Sequence, residues 1–391
     1  MAAATEMRKE LPMELTRLSI QAHFADVRDP RKAWNQDHRL LDILVMALCA
    51  IISGADSAVS VATFAQAKLP WFRRFLELPN GAPAHDTFSR VFAALDPAQL
   101  QTAFQSWVQA VHVASHGEVV AIDGKVLRGS ADKAWGRAAI QMVSAWASSN
   151  GLVLGQQKVA GASNEITAVP ALLERLALEG CIVTLDAAHC QTNTIEVIRS
   201  QQADYVVTVK GNQATLHQQI RDAFAHAHTT NFRDLSPGQW DEYHLTEQGH
   251  GRTEQRSYWT LMSPAVLAAC NVDGRWRDLH AIGMVRAERT VNGKTSVEAR
   301  YFITSLAGNA RTFGNAVRIH WEIENIVHWT LDVTFGEDAA RAIVGHGPEN
   351  LAVMRHLALN LLKQAPSTQS IRTKRQRAGW DEDFLLKVLA G

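Results

Sequence analysis

An α/β fold with a mixed sheet, preceded by a helical region and interrupted by a β-rich insertion, follows from three features of the 391-residue sequence. Residues 12–114 carry apolar side chains at three- and four-residue steps, the helical period. From Glu118 the pattern changes to short apolar runs alternating with helical stretches. Beyond about Asn212 it becomes strand-rich, with Asn292-Gly293 as a strong hairpin signal. The expected organisation is a helical N-terminal domain over 1–114, a core over 115–211, a β-rich insertion over 212–309, the core resumed over 310–365, and a tail over 366–391.

In the first region LLDILVMALCAIIS, VATFAQA, WFRRFLEL and AQLQTAFQSWVQAV read as helices, broken at Asp29-Pro30, Pro79-Asn80-Gly81 and Asp96-Pro97. After Pro83, Asp86 or Thr87 is expected to cap the helix FSRVFAAL. A plain helical domain is the simplest reading, and a helix-turn-helix the second. GEVVAID, QMVSAWAS and LVLGQQKVA are then three strands with short connections, an antiparallel meander. The helix EITAVPALLERLALEG, strand CIVTLDA, helix TIEVIRSQQA and strand DYVVTVK add parallel strands.

The insertion opens with the helix QATLHQQIRDAFAHA and continues as the strands EQRSYWTLM, LHAIGMVRAERTV and SVEARYFITSL. A long helix spans about Ala310 to Thr334, and PENLAVMRHLALNLLKQ is another. The tail carries IRTKRQR, a solvated linker or a contact to a DNA backbone, and then WDEDFLLKVLAG.

Lys plus Arg and Asp plus Glu both total 39, so the formal net charge is zero. That counts mildly against a nucleic-acid partner, because phosphate contacts favour basic chains, unless a local basic surface hides in the neutral total. The four cysteines form no CxxC pair and no zinc-ligand spacing, which suits a reducing compartment. The first residues lack the apolar stretch of a secretion signal. The longest apolar run, Leu40 to Ser53, contains Asp42 and is shorter than the ~20 residues a membrane span needs. A buried helix and a cytoplasmic chain without a membrane partner are expected.

Two strands end alike. VVAID finishes at Asp123 and IVTLD at Asp186, each carboxylate after four apolar residues. Such runs belong to strands buried on both faces, where charge is normally excluded. Two carboxylates brought together repel, and one is driven to hold a proton; a divalent cation removes that conflict. One such strand is common in α/β enzymes, but two separated by a βββαβ unit point towards a metal site. Oxygen ligands favour magnesium or manganese over zinc.

A third ligand is expected on the helix NAVRIHWEIENIVHWTLDVTF. Ile319, Ile323, Ile326 and Val327 share its core face, which leaves Glu322 and Glu324 on opposite flanks; periodicity does not choose between them. His320, Glu324 and His328 lie four apart on one flank, but no Cys or Asp completes a zinc site and Trp321 and Trp329 crowd the helix.

The ordered motifs AIDGK (121–125), TLDAAHCQ (184–191), VKGNQ (209–213), HGRTEQR (250–256) and RIHWEIEN (318–325) resemble the DDE insertion-sequence transposases of the H-repeat-associated branch, over about residues 20–365. The resemblance implies an RNase H-like catalytic core with a helical N-terminal domain and a β-rich insertion before the helix that carries the glutamate. It implies metal-dependent DNA strand cleavage and strand transfer, with Asp123, Asp186 and Glu324 as catalytic metal ligands and Glu322 as the alternative acid. Two Mg²⁺ or Mn²⁺ ions, DNA with terminal inverted repeats and a homodimer on that DNA go with it. The basic and aromatic partners that the wider superfamily places around its glutamate are replaced here by Val317, His320 and Leu331, so His320 and His328 are candidates for part of that role. Lys125, Arg128, His250, Arg252 and Arg256 are candidate phosphate contacts or plain surface charges. His189 is a candidate for orienting Asp186. A non-catalytic DNA-binding relative and a metal-dependent nuclease are the rival readings.

Overall fold

The structure, a computed structural model, describes residues 20–390 apart from 133–135, 137, 161–164 and 250–251. Among the described residues six α-helices come first: α1 (Ile20–Phe24), α2 (Leu40–Ile52), α3 (Ala58–Ala67), α4 (Leu69–Phe72), α5 (His85–Ala94) and α6 (Pro97–Val111). All of α2 except Leu41 is buried, which is why its sequence is apolar all round. Among the described residues no helix is long and apolar enough to cross a membrane. The expected cap of α5 differs from the structure. The helix already begins at His85 behind Ala84, with no side-chain cap, and Asp86 lies inside the first turn beside Arg90.

The sheet begins with β1 (Val119–Leu127), β2 (Ile140–Ala147) and β3 (Leu152–Lys158), paired antiparallel. After α7 (Glu165–Leu173) comes β4 (Ile182–Leu185); after α8 (Thr192–Ser200) comes β5 (Asp204–Val209). Both are parallel to β1, in the order β3-β2-β1-β4-β5. This is the RNase H-like arrangement: a meander, then crossovers that carry parallel strands to its far side. Beyond α9 (Ala214–Thr229) lie β6 (Trp240–Gly249), β7 (Arg252–Leu261), the short α10 (Pro264–Cys270), β8 (Ala281–Val291) and β9 (Lys294–Thr304). These strands extend the same sheet, because β9 pairs antiparallel with β5 and the order runs on as β9-β8-β7-β6. Asn292 and Gly293 close the β8–β9 hairpin with φ of 49° and 75°, the left-handed pair that a two-residue turn requires.

The long helix after β9 is α11 (Ala310–Glu322), and from Ile323 it widens into π-helical turns over Ile323–His328 and Thr330–Thr334. Next, α12 (Gly347–Gln364) joins the helical region to the sheet. Its buried Asn350 donates to the carbonyls of Phe92 and Leu95, and its buried Asn360 exchanges two hydrogen bonds with the Val153 backbone on edge strand β3. Unpaired, those buried polar groups would each cost ~1–3 kcal/mol.

The tail forms α13 (Ile371–Trp380) and α14 (Glu382–Ala390). Its basic run is not a solvated linker. Lys374 donates to the carbonyls of Leu362 and Ala365, and Arg375 to those of Ile51 and Thr334, both side chains buried. Cations closing helix C-termini meet the unsatisfied carbonyls and the negative end of the helix dipole.

Candidate active site

The parallel register of β1 with β4 ends at the pair Ile122↔Leu185. The next residues are Asp123 and Asp186, so the two acids leave the paired register together, close enough for the Asp186 charge to act on Asp123. Asp123 is not the last residue of its strand, as its apolar run suggested. β1 continues to Leu127 because β2 still pairs with it there, whereas β4 stops at Leu185. The site is therefore a step in the sheet, where one strand has lost its parallel neighbour.

Asp123, Asp186 and Glu324 line one cleft of about 260 Å³ with Thr184, Lys210, Arg300, His320 and Trp321. Burial pushes the Asp123 carboxyl up to about 7, and the charges of Asp186, Glu324 and Glu165 push the same way. Asp186 is more open and accepts from the Ala188 amide at the turn that follows it. Glu322 is not in the cleft; its charge acts on Arg318 and Lys363. Oxygen donors with mutually repelling charge suit a hard divalent cation. Among the described residues, no three His, Cys, Asp or Glu side chains stand close enough to hold one ion as the side chains are turned here.

Both flanking histidines face the acids. His320 Nδ1 lies 3.0 Å from the Thr184 hydroxyl, and His328 Nδ1 lies 3.4 Å from Asp123 Oδ2. Burial pushes each imidazole down to about 4, which leaves both neutral near pH 7. They do not supply the missing basic charge. The cations lining the cleft are Lys210 and Arg300, neither singled out from the sequence. A usable signal existed for Lys210: it follows the apolar run of β5, the third parallel strand, as the aspartates follow those of β1 and β4.

The expected phosphate contacts scatter. Lys125 is drawn into a buried ion cluster with Asp332 and Glu337, and Glu337 is also paired with Arg355. Its surroundings do not fit a phosphate contact. Arg128 is largely exposed, with Asp338 3.6 Å away. Arg256 pairs with Glu247 at 2.5 Å and Glu254 at 2.7 Å, and Glu247 also takes Arg318 at 2.6 Å, so this group fastens β7 and β6 to α11. His250 and the side chain of Arg252 lie outside the described residues. His189 is buried behind Asp186, 3.6 Å from its carboxylate and 3.4 Å from that of Glu165, an acid absent from the sequence-level candidates.

Against known families, a model described as "Transposase DDE domain" matches residues 114–361, and one described as "DDE_Tnp_1-associated" matches 21–108. The H repeat-associated putative transposase YhhI of Escherichia coli K12 is 35% identical over 97% of this chain and 99% of its own length. Its counterpart YbfD from the same organism is 37% identical over 62% of this chain and 93% of its own. A piggyBac transposase synaptic complex with hairpin DNA aligns with 95% of this chain and 78% of its own, at a TM-score of 0.39 and 10% identity. The full-length relatives and the matched family model, set beside the paired aspartates in an RNase H-like sheet, agree with the resemblance in the motifs: the chain belongs to the DDE transposases, DNA-cleaving enzymes, in their H repeat-associated branch.

Proposed function

We propose that Asp123, Asp186 and Glu324 together hold two Mg²⁺ or Mn²⁺ ions and that this site both cleaves and joins DNA at the ends of an insertion sequence. The family works with divalent metal ions. The observation that carries the assignment is the register of β1 and β4, which brings two acids from separate strands to one step in the sheet. Bound there, such ions supply the charge that activates an attacking water or 3′-hydroxyl and stabilises the leaving oxygen.

The chain's own residues do the rest. The three carboxylates would hold the ions, with Glu324 contributed by the helical segment that follows β9. Lys210 and Arg300 meet the non-bridging oxygens of the scissile phosphate, where fixed cations offset charge that grows in the transition state. The neutral His320 steadies the aspartate side of the cleft by its hydrogen bond with Thr184, and His328 packs against Asp123. The double-stranded DNA carries terminal inverted repeats and is held by a homodimer, with the helical region up to residue 114 contributing phosphate contacts.

The test uses DNA that carries the element's ends. Cleavage should stop in EDTA and return with Mg²⁺ or Mn²⁺, and Asp123→Ala and Asp186→Ala should each abolish cleavage while a gel shift shows binding nearly intact. Undiminished cutting in EDTA, or equal loss of binding and cleavage in both variants, would overturn the assignment.

A further inference from the structure

Behind Asp186 lies an arrangement that the three-acid site does not use. His189 is 1% exposed, and neither ring nitrogen has a hydrogen-bond partner among the described residues. What it has are two carboxylates: Glu165 Oε2 at 3.4 Å and Asp186 Oδ1 at 3.6 Å, both facing Nε2. Glu165 opens α7, directly after the meander, and is held in turn by the Gln141 side-chain amide on β2. Its carboxylate lies so close over Gly124 that a methyl group there would require the Glu165 side chain to shift.

A buried imidazole needs polar partners for its ring nitrogens, and the partners offered here are carboxylates, with Glu165 held below the usual carboxylate range by His189 first of all. The ring lies between two acids, one belonging to the cleft and one that does not line it. We infer that Gln141, Glu165 and His189 form a positioning chain for Asp186, in which Glu165 orients the His189 ring and the ring fixes the direction of the Asp186 carboxylate towards the cleft. The inference rests on the reading of Asp186 as a metal ligand. Groups that orient a metal ligand from behind typically change metal affinity ~10–100-fold when removed.

The experiment measures Mn²⁺ binding directly, by calorimetry on the full chain without DNA, beside the Mg²⁺ dependence of DNA cleavage. Glu165→Gln keeps the shape of the side chain, and Gln141→Ala removes only the outermost contact, so a usable variant remains if the first fails to fold. Both should weaken Mn²⁺ binding, Glu165→Gln by ~10–100-fold, and raise the Mg²⁺ midpoint of cleavage. Much of the maximal rate should return at saturating metal. The Glu165→Gln/His189→Asn double variant should be no worse than His189→Asn, because one chain is broken either way.

Unchanged Mn²⁺ affinity and Mg²⁺ midpoint in Glu165→Gln and Gln141→Ala overturn the inference, as does a double variant whose losses add. Lowered melting temperature with normal metal binding also overturns it, by leaving Glu165 a purely structural role. The wild type separates the two levels of the argument. If it binds no Mn²⁺ and cuts no DNA, the two-metal reading itself fails, whereas normal wild-type binding with indifferent variants removes only the positioning chain.

Discussion

Asp123→Asn should stabilise the metal-free protein while abolishing its chemistry. The folded carboxyl is pushed up to about 7 from an ordinary 3.8, by burial first and then by three neighbouring acids. Between those values the folded state binds more protons than the unfolded chain, so stability falls as pH rises through that window, and the full penalty stands above about 7. The interval is roughly three pH units, and at ~1.4 kcal/mol per unit the upper bound is about 4 kcal/mol. The side chain is 28% exposed, and solvent there lowers the figure to about 2–4 kcal/mol. At ~2.1 cal/mol/K per residue, a chain of this length shifts its melting temperature by about 1 °C per kcal/mol. Melting in EDTA at pH 8 should therefore place Asp123→Asn ~2–5 °C above the wild type. At pH 5 less than half of the difference should remain, since most of the window has been crossed. Mg²⁺ should raise the wild-type transition by mass action and leave the variant nearly unmoved. A variant that melts at or below the wild type at pH 8 in EDTA would refute the electrostatic account.

Three further outcomes follow from the placement of particular side chains. Glu324→Gln should stop strand cleavage, whereas Glu322→Gln, whose charge acts on Arg318 and Lys363 outside the cleft, should reduce it only modestly; a fully active Glu324→Gln protein would reverse the two roles. Arg375→Met should lower unfolding stability by about 2–4 kcal/mol, because the carbonyls of Ile51 and Thr334 lose a buried donor. Denaturant titration measures it, and an unchanged midpoint would show that water replaces the guanidinium. A fragment ending near residue 110 should bind DNA at low salt and lose it steeply as salt rises, if the exposed Arg73, Arg74 and Arg90 serve as its phosphate contacts. No affinity even at low salt would remove that region from the DNA interface.

The main outline was legible because period and order survive translation into structure. Strict apolar runs gave β1, β4 and β5, the Asn292-Gly293 pair gave its hairpin, and the four-step repeat gave α2 and α12. What failed depended on partners that no local pattern records. β1 outlasts Asp123 only because β2 remains beside it, and Gly124-Lys125 looks like a strand end in isolation. Strand β6 was missed because its alternating residues, Trp240 to Gly249, face solvent for much of their length and carry no apolar run. The basic tail looked like a solvated linker because a sequence shows the charge of Lys374 and Arg375 but not the helix-end carbonyls they close. Glu165 was unreadable as a site residue, since only the fold brings the start of α7 behind Asp186.

The choice between Glu322 and Glu324 was closed to periodicity because both flank the apolar face about equally, and the helix changes geometry between them. A projection at 100° per residue assumes an α-helix, and the helix stops being one at Ile323. From there the backbone bonds reach five residues instead of four, a rare geometry that is frequent at functional sites. Such a turn persists only if the structure on either side fixes it. On the amino-terminal side Arg318 is tied to Glu247, which also holds Arg256 of β7. On the carboxyl-terminal side Lys125 of β1 grips Asp332, and Arg375 of the tail closes the Thr334 carbonyl. Lys125 and Arg256, first read as phosphate contacts or plain surface charges, thus act on the two ends of the segment that carries Glu324. The strand that carries Asp123 is itself one of the anchors, since Lys125, two residues beyond the aspartate, pairs with Asp332 on the same helical segment as Glu324.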